Sequence, residues 1–129
     1  MGFILNVEGT TLGVETIKTV DFAVSTPNDT NAKTTDVAVT ATITGKILTM
    51  LDLAKWAMIT SDKAECYKNV TIQSIAAGQV VREYTMPTAF VVDYNENYDD
   101  VEGVGTFTLV VRQKKDKIGT ITVNGGYEA

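Results

Sequence analysis

Three observations predict a mainly β domain with one short helix. Strict alternation runs through DVAVTATITGKI from Asp36: Val37, Val39, Ala41 and Ile43 face one way and Ala38, Thr40, Thr42 and Thr44 the other, the period of a half-buried strand. The segment from Tyr67 to Lys115 is dense in Val, Ile, Thr and Tyr, which suit a pleated surface. A single stretch, TMLDLAKWAMI, carries helical spacing, with Met50, Leu53, Ala54, Ala57 and Met58 at i, i+3, i+4, i+7 and i+8.

The remaining elements follow in chain order. Phe3 to Val7 reads as a short strand. Leu12 to Ser25 has mixed alternation, Val14, Thr16 and Lys18 against Ile17, Val20 and Phe22, and reads as one long or bent strand. Ser25 to Thr34, STPNDTNAKT, gathers turn formers and reads as an exposed loop. Thr49 and Asp52 resemble a capping box ahead of the helix, and Leu53, Trp56 and Met58 are expected to pack inward. Val70 to Ile75 and Gln79 to Tyr84 flank Ala76-Ala77-Gly78, a tight hairpin. Pro87 donates no ladder hydrogen bond and marks a bend or register break. Thr88 to Tyr94, Val104 to Gln113 and Ile118 to Val123 complete the strands, the last two joined by the charged turn KKDK.

Composition narrows the function classes. The 129 residues suit one domain, 1–129, with a core that needs no metal or disulfide support. No apolar run reaches the roughly 18 residues of a membrane span, so membrane insertion is not expected. The start MGFILNVEG lacks the basic region of a signal peptide, which implies synthesis in the cytoplasm. A net charge of -5 speaks against a nucleic-acid partner, because phosphate neutralisation needs clustered Lys and Arg. Cys66 is alone, so it reads as a packed thiol.

Catalytic and cofactor motifs are weak. With no His, a Ser, Cys or Thr nucleophile lacks its usual proton acceptor. Asp93, Asn95, Asn97 and Asp99 begin like a calcium loop, but Tyr98 stands where the turn glycine belongs and Val104 where the bidentate Glu belongs. The segment therefore reads as a solvated acidic loop. Gly103-Val104-Gly105 and Gly125-Gly126 lack the Lys-Ser or Lys-Thr partner of a phosphate loop. No cofactor, metal or enzyme activity is expected.

VAVTATITGKI, the short helix LDLAKWAM, and NVTIQSIAAGQVVREYTMPTAFVVDYNENYDDVEGVGTFTLVVRQKK together resemble the haemolysin-coregulated protein of type VI secretion systems and related phage-type tail-tube proteins. Tyr84 to Tyr94 and Thr106 to Leu109 are the closest local likeness. The likeness covers Asp36 to Lys115 well and the N-terminal third by topology only.

The resemblance implies a β-barrel of antiparallel strands with one short helix packed against it. It further implies a structural subunit of a homo-hexameric ring, rings stacked into a hollow tube, with sheath, spike and cargo proteins as partners and export as part of a particle. In that family the long loop reaches a neighbouring subunit or ring, which makes Asn28, Asp29, Asn31 and Lys33 the expected interface residues. Apolar side chains on both faces of Gln79 to Tyr94 (Val80, Tyr84 and Phe90; Val81 and Val91) are compatible with a partner surface. The alternative is a small monomeric ligand-binding or adaptor barrel whose pocket is closed by the Leu51 to Met58 helix.

Overall fold

The computed structural model describes residues 1–26, 37–47, 53–101 and 103–125. The expected interface residues Asn28, Asp29, Asn31 and Lys33, and the capping pair Thr49 and Asp52, lie outside them. Among the described residues there are eight strands: β1 (Gly2–Val7), β2 (Thr10–Leu12), β3 (Ile17–Ser25), β4 (Ala38–Lys46), β5 (Lys68–Ala76), β6 (Gln79–Asn97), β7 (Thr106–Gln113) and β8 (Thr122–Gly125). The helix α1 (Leu53–Met58) and a 3-10 turn at Ala64–Cys66 lie between β4 and β5, and a second 3-10 segment at Lys115–Thr120 lies between β7 and β8.

The strands form one sheet in the order β2-β1-β5-β6-β7-β4-β3, with β8 paired to β6. Every ladder among the described residues is antiparallel. The sheet curls into a barrel. Its two ends approach each other at β1 and β3, and Phe22 of β3 stacks on Tyr84 of β6 with ring centroids 4.1 Å apart, although two strands separate them in the sheet. One face of each long strand fills the interior: Leu5, Val7, Ile43, Ala41, Val70, Ile72, Met86, Leu109 and Val111 are buried there. β4 and β7 keep the period of two along their whole length, which is why the alternation of DVAVTATITGKI is so plain.

The other strands depart from simple alternation at bulges, where two residues oppose one and the facing pattern slips by one position. In β3 the register breaks between Ile17 and Thr19. Lys18 is the extra residue, and Ile17 and Val20, three apart, both turn inward. Leu12 to Ser25 is thus not one strand: β2 pairs with β1, a turn at Val14–Thr16 follows, and β3 starts across the barrel. β6 breaks register against β5 near Val81 and again where Asn69 faces Pro87 and Thr88, and against β7 at Val92. The inward residues of β6 are therefore Tyr84, Met86, Ala89, Val91 and Tyr94, which oppose buried partners across the ladders. Tyr84 and Phe90 lie on opposite faces, unlike the sequence expectation.

The remaining departures are local. Asp93, Asn95 and Asn97 are strand residues at the end of β6, and the expected acidic loop is only the short turn after Asn97. Residues 118–120 are 3-10 and not strand, so β8 begins at Thr122 and pairs with β6 beyond the reach of β7. The β5–β6 hairpin is as expected: Ala76 pairs with Gln79, and Ala77 (φ 53°) and Gly78 (φ 76°) both sit in the left-handed region, as a two-residue turn of this hand requires.

Candidate assembly surfaces

Helix α1 is short, and Leu53 and Trp56, three apart, are its buried residues. Met58, expected inside, is 77% exposed, because five residues beyond Leu53 is about 1.4 helical turns, which rotates it roughly 140° off the face that meets β6. The Trp56 indole Nε1 donates to the Cys66 carbonyl at 2.8 Å, tying α1 to the following 3-10 turn. Cys66 is buried, as expected of a packed thiol. Between these elements and β6 lies a cleft of ≈ 250 Å³ lined by Trp56, Ile59, Ser61, Cys66, Tyr67, Phe90 and Val91. Tyr67 meets Phe90 edge to face at 6.0 Å, and the Lys114 ammonium lies 5.3 Å from the Tyr67 ring centre.

At the other end of β7 the turn from β6 is braced from within. Glu96 accepts from both phenols beside it, Tyr94 at 2.6 Å and Tyr98 at 3.2 Å. The Tyr98 phenol is held above its ordinary range by desolvation first, then by the hydrogen bond to Glu96 and its charge. The Tyr98 ring lies so close to Gly105 that a Cβ there would overlap it. The Asp99 carboxylate accepts from the Val101 amide at 2.9 Å, and Gly103 takes a positive φ of 76° to close the turn. Val101 is left 86% exposed at the tip, with Asp99 and Asp100 beside it.

Strand edges form the second kind of surface. β3 pairs with β4 alone among the described residues, so one side of this nine-residue strand presents unpaired backbone groups. Val24 on that edge is 56% exposed. β2 and β8 are also edges but only three and four residues long. Outside the barrel, Thr19, Thr44, Thr108 and Asn95 line up across β3, β4, β7 and β6, and the hydroxyls of Thr19 and Thr44 bond to each other. Asp93, Asn95 and Asn97, the residues that begin like a calcium loop, are spaced along this polar face; among the described residues no three metal-ligating side chains gather.

The lining of the cleft beside Trp56 was not legible in the sequence. It comes from α1, the residues that follow the helix through Tyr67, and β6, and the one reading that pointed near it was the alternative of a pocket closed by the Leu51 to Met58 helix.

No protein-family model matches the sequence, and no curated protein sequence matches it. Solved structures do. The chain is similar to Hcp1 from Flavobacterium johnsoniae, with a TM-score of 0.70 and 18% identity over 100% of both chains. It is also similar to a chain of the sheath-tube complex of an extracellular contractile injection system, PVC, in its extended state, with a TM-score of 0.59 and 12% identity over 96% of this chain and 88% of that one. A chain of the anti-feeding prophage baseplate matches with a TM-score of 0.57 and 14% identity, over 96% and 93% of the two chains. The resemblance read from the sequence is thus borne out in three dimensions, and the first third, matched at first by topology alone, is covered as well: this chain has the fold of Hcp1 and of proteins of contractile injection particles.

Proposed function

We propose that this chain is a non-enzymatic structural subunit that closes into a homo-hexameric ring, the rings stacking into the hollow tube of a contractile injection or secretion system. The observation that carries the reading is the open edge of β3. A nine-residue strand that, among the described residues, forms a ladder on one side only and carries an exposed valine invites a further strand, and a closed ring of identical subunits satisfies such edges without uncontrolled growth. The fold shared with Hcp1 and with the injection-particle chains supports the same reading. Asn28, Asp29, Asn31 and Lys33 supply polar contacts to a neighbouring subunit or ring. Sheath, spike and cargo proteins are the partners of such a tube, and the subunit, made in the cytoplasm, leaves it as part of the particle. Among the described residues no helix is long and apolar enough to cross a membrane.

The alternative of a ligand-binding barrel finds little support. The interior is filled by Leu5, Ile43, Ile72, Met86 and Leu109, each fully buried, so a ligand would have to sit outside the barrel core, in the cleft of ≈ 250 Å³ beside α1 or in the groove of ≈ 330 Å³ lined by Ile4, Asn6, Thr11, Thr71 and Gln73.

The test is the state of the purified protein. Size-exclusion chromatography with light scattering should give a species of six subunits, and negative-stain microscopy should show rings or tubes. Val24→Lys, which puts a charge on the open edge, should abolish these species while leaving the unfolding midpoint of the domain nearly unchanged. A strict monomer at high concentration for the unmodified chain would sink the reading.

A further inference from the structure

We propose that copies of this chain join head to tail by inserting the Val101 turn of one copy into the Trp56–Tyr67–Phe90 cleft of the next. The inference deepens the tube reading and rests on it, naming the two surfaces that meet.

The shapes and charges argue for it. Val101 is the most exposed large apolar side chain in the described structure, yet its amide is capped by Asp99, and the neighbouring Tyr98 is bonded to Glu96 and packed against Gly105. Ties already made before contact lower the ordering entropy that burial of the tip has to lose. The cleft is too small for a drug-sized ligand but suits one or two inserted side chains, and its walls are aromatic.

The rims are complementary. Asp99 and Asp100 flank the tip, together with Glu96. Lys114 stands over Tyr67 at the cleft, and Phe90 pairs across the ladder with Arg112. Lys63 and Lys68 lie in the segments that border it, against the acids Asp62 and Glu65 and against Asp116, whose carboxylate lies 3.7 Å from the Lys114 ammonium, so the balance on this side is only slightly positive.

The placement allows propagation and forbids self-satisfaction. The turn precedes β7 and Lys114 follows it, so the two surfaces lie at opposite ends of an eight-residue strand, about 25 Å apart at the usual strand rise. A turn cannot fold back into its own cleft across that span. A contact between two different surfaces is heterologous, and it continues from copy to copy until a ring closes or a fibre extends.

The test uses disulfide trapping in the full chain. Val101→Cys and Ser61→Cys, the latter exposed on the cleft wall, are combined in a Cys66→Ala background and oxidised at assembling concentration. If that background fails to fold, the same pair is examined with the buried Cys66 retained. The expected result is a ladder of dimer, trimer and higher species on non-reducing gels, from the double variant alone. Mixing the two single-cysteine variants should stop at dimers. Crosslinks that form equally well from either single variant mean a two-fold contact and overturn the proposal. Assembled particles seen by light scattering without a ladder overturn this contact while the tube reading stands; absence of both ladder and particles overturns both.

Discussion

Gln113 and Thr88 are joined where proline interrupts the longest strand. The Gln113 side-chain carbonyl accepts from the Thr88 amide at 3.1 Å, and the Lys114 amide donates to the Thr88 carbonyl at 2.8 Å. The Gln113 amide nitrogen donates to the Lys117 carbonyl at 2.9 Å and to the Thr120 hydroxyl at 3.2 Å. One buried glutamine thus replaces the ladder lost at the Pro87–Thr88 bulge and anchors the 3-10 segment that carries the chain to β8. A polar side chain can remain 1% exposed here because both ends of its amide are satisfied.

Gln113→Leu keeps the volume and removes both functions. The Thr88 amide is left in a partly buried place without its acceptor, and a loss of about 1–3 kcal/mol is expected in urea unfolding followed by Trp56 fluorescence. A change below about 0.5 kcal/mol would show that water serves Thr88 as well as Gln113 does.

Leu53 and Met58 lie on the same six-residue helix and should respond differently. Leu53→Ala removes a buried side chain and should cost about 2–5 kcal/mol. Met58→Ala removes an exposed one and should stay within about 0.5 kcal/mol. Equal losses in chemical denaturation would place both residues in the core and contradict the helix orientation.

Ala77 occupies a left-handed conformation that costs an ordinary L-residue roughly 1–2 kcal/mol. Asn-Gly is the preferred pair for such a turn, so Ala77→Asn should raise stability by about 0.5–1 kcal/mol, read as a higher melting temperature. Gly78→Val, at φ 76°, should lower it. A neutral Ala77→Asn would mean that the hairpin turn is relaxed in some other form in solution.

Replacing Asn28 to Lys33 by a short Gly-Ser link tests the expected interface segment apart from the fold. Cooperative thermal unfolding should remain, since the replaced residues are polar apart from Ala32 and little apolar area is lost. Tubes should be shorter or absent by negative-stain microscopy. Tubes of normal length would assign the ring contacts to other surfaces, and failure to fold would show that the segment supports the domain.

Legibility of the fold followed regularity of the ladders. Val39, Ala41 and Ile43 could be assigned to the core from their spacing, because β4 has no bulge and its two faces keep their identities from end to end. The Ala77-Gly78 hairpin was legible because its turn chemistry is local. Leu12 to Ser25 misled, since a three-residue strand and a turn have too few residues to show a period, and the Lys18 bulge then reverses the phase.

By itself the sequence determined what local stereochemistry dictates: the strand-rich class, the one helix, the Ala77-Gly78 turn and the interruption at Pro87. It also carried enough pattern from Asp36 to Lys115 to point to the fold. Only the tertiary structure decided which face of β6 turns inward, since a bulge is visible only against the partner strand it offsets. It alone turned Met58 outward, closed the barrel through Phe22 and Tyr84, and brought Trp56, Tyr67 and Phe90 into one cleft. Those residues lie far apart in the chain, and their meeting depends on how a twisted sheet curls, a property that no local window of sequence contains.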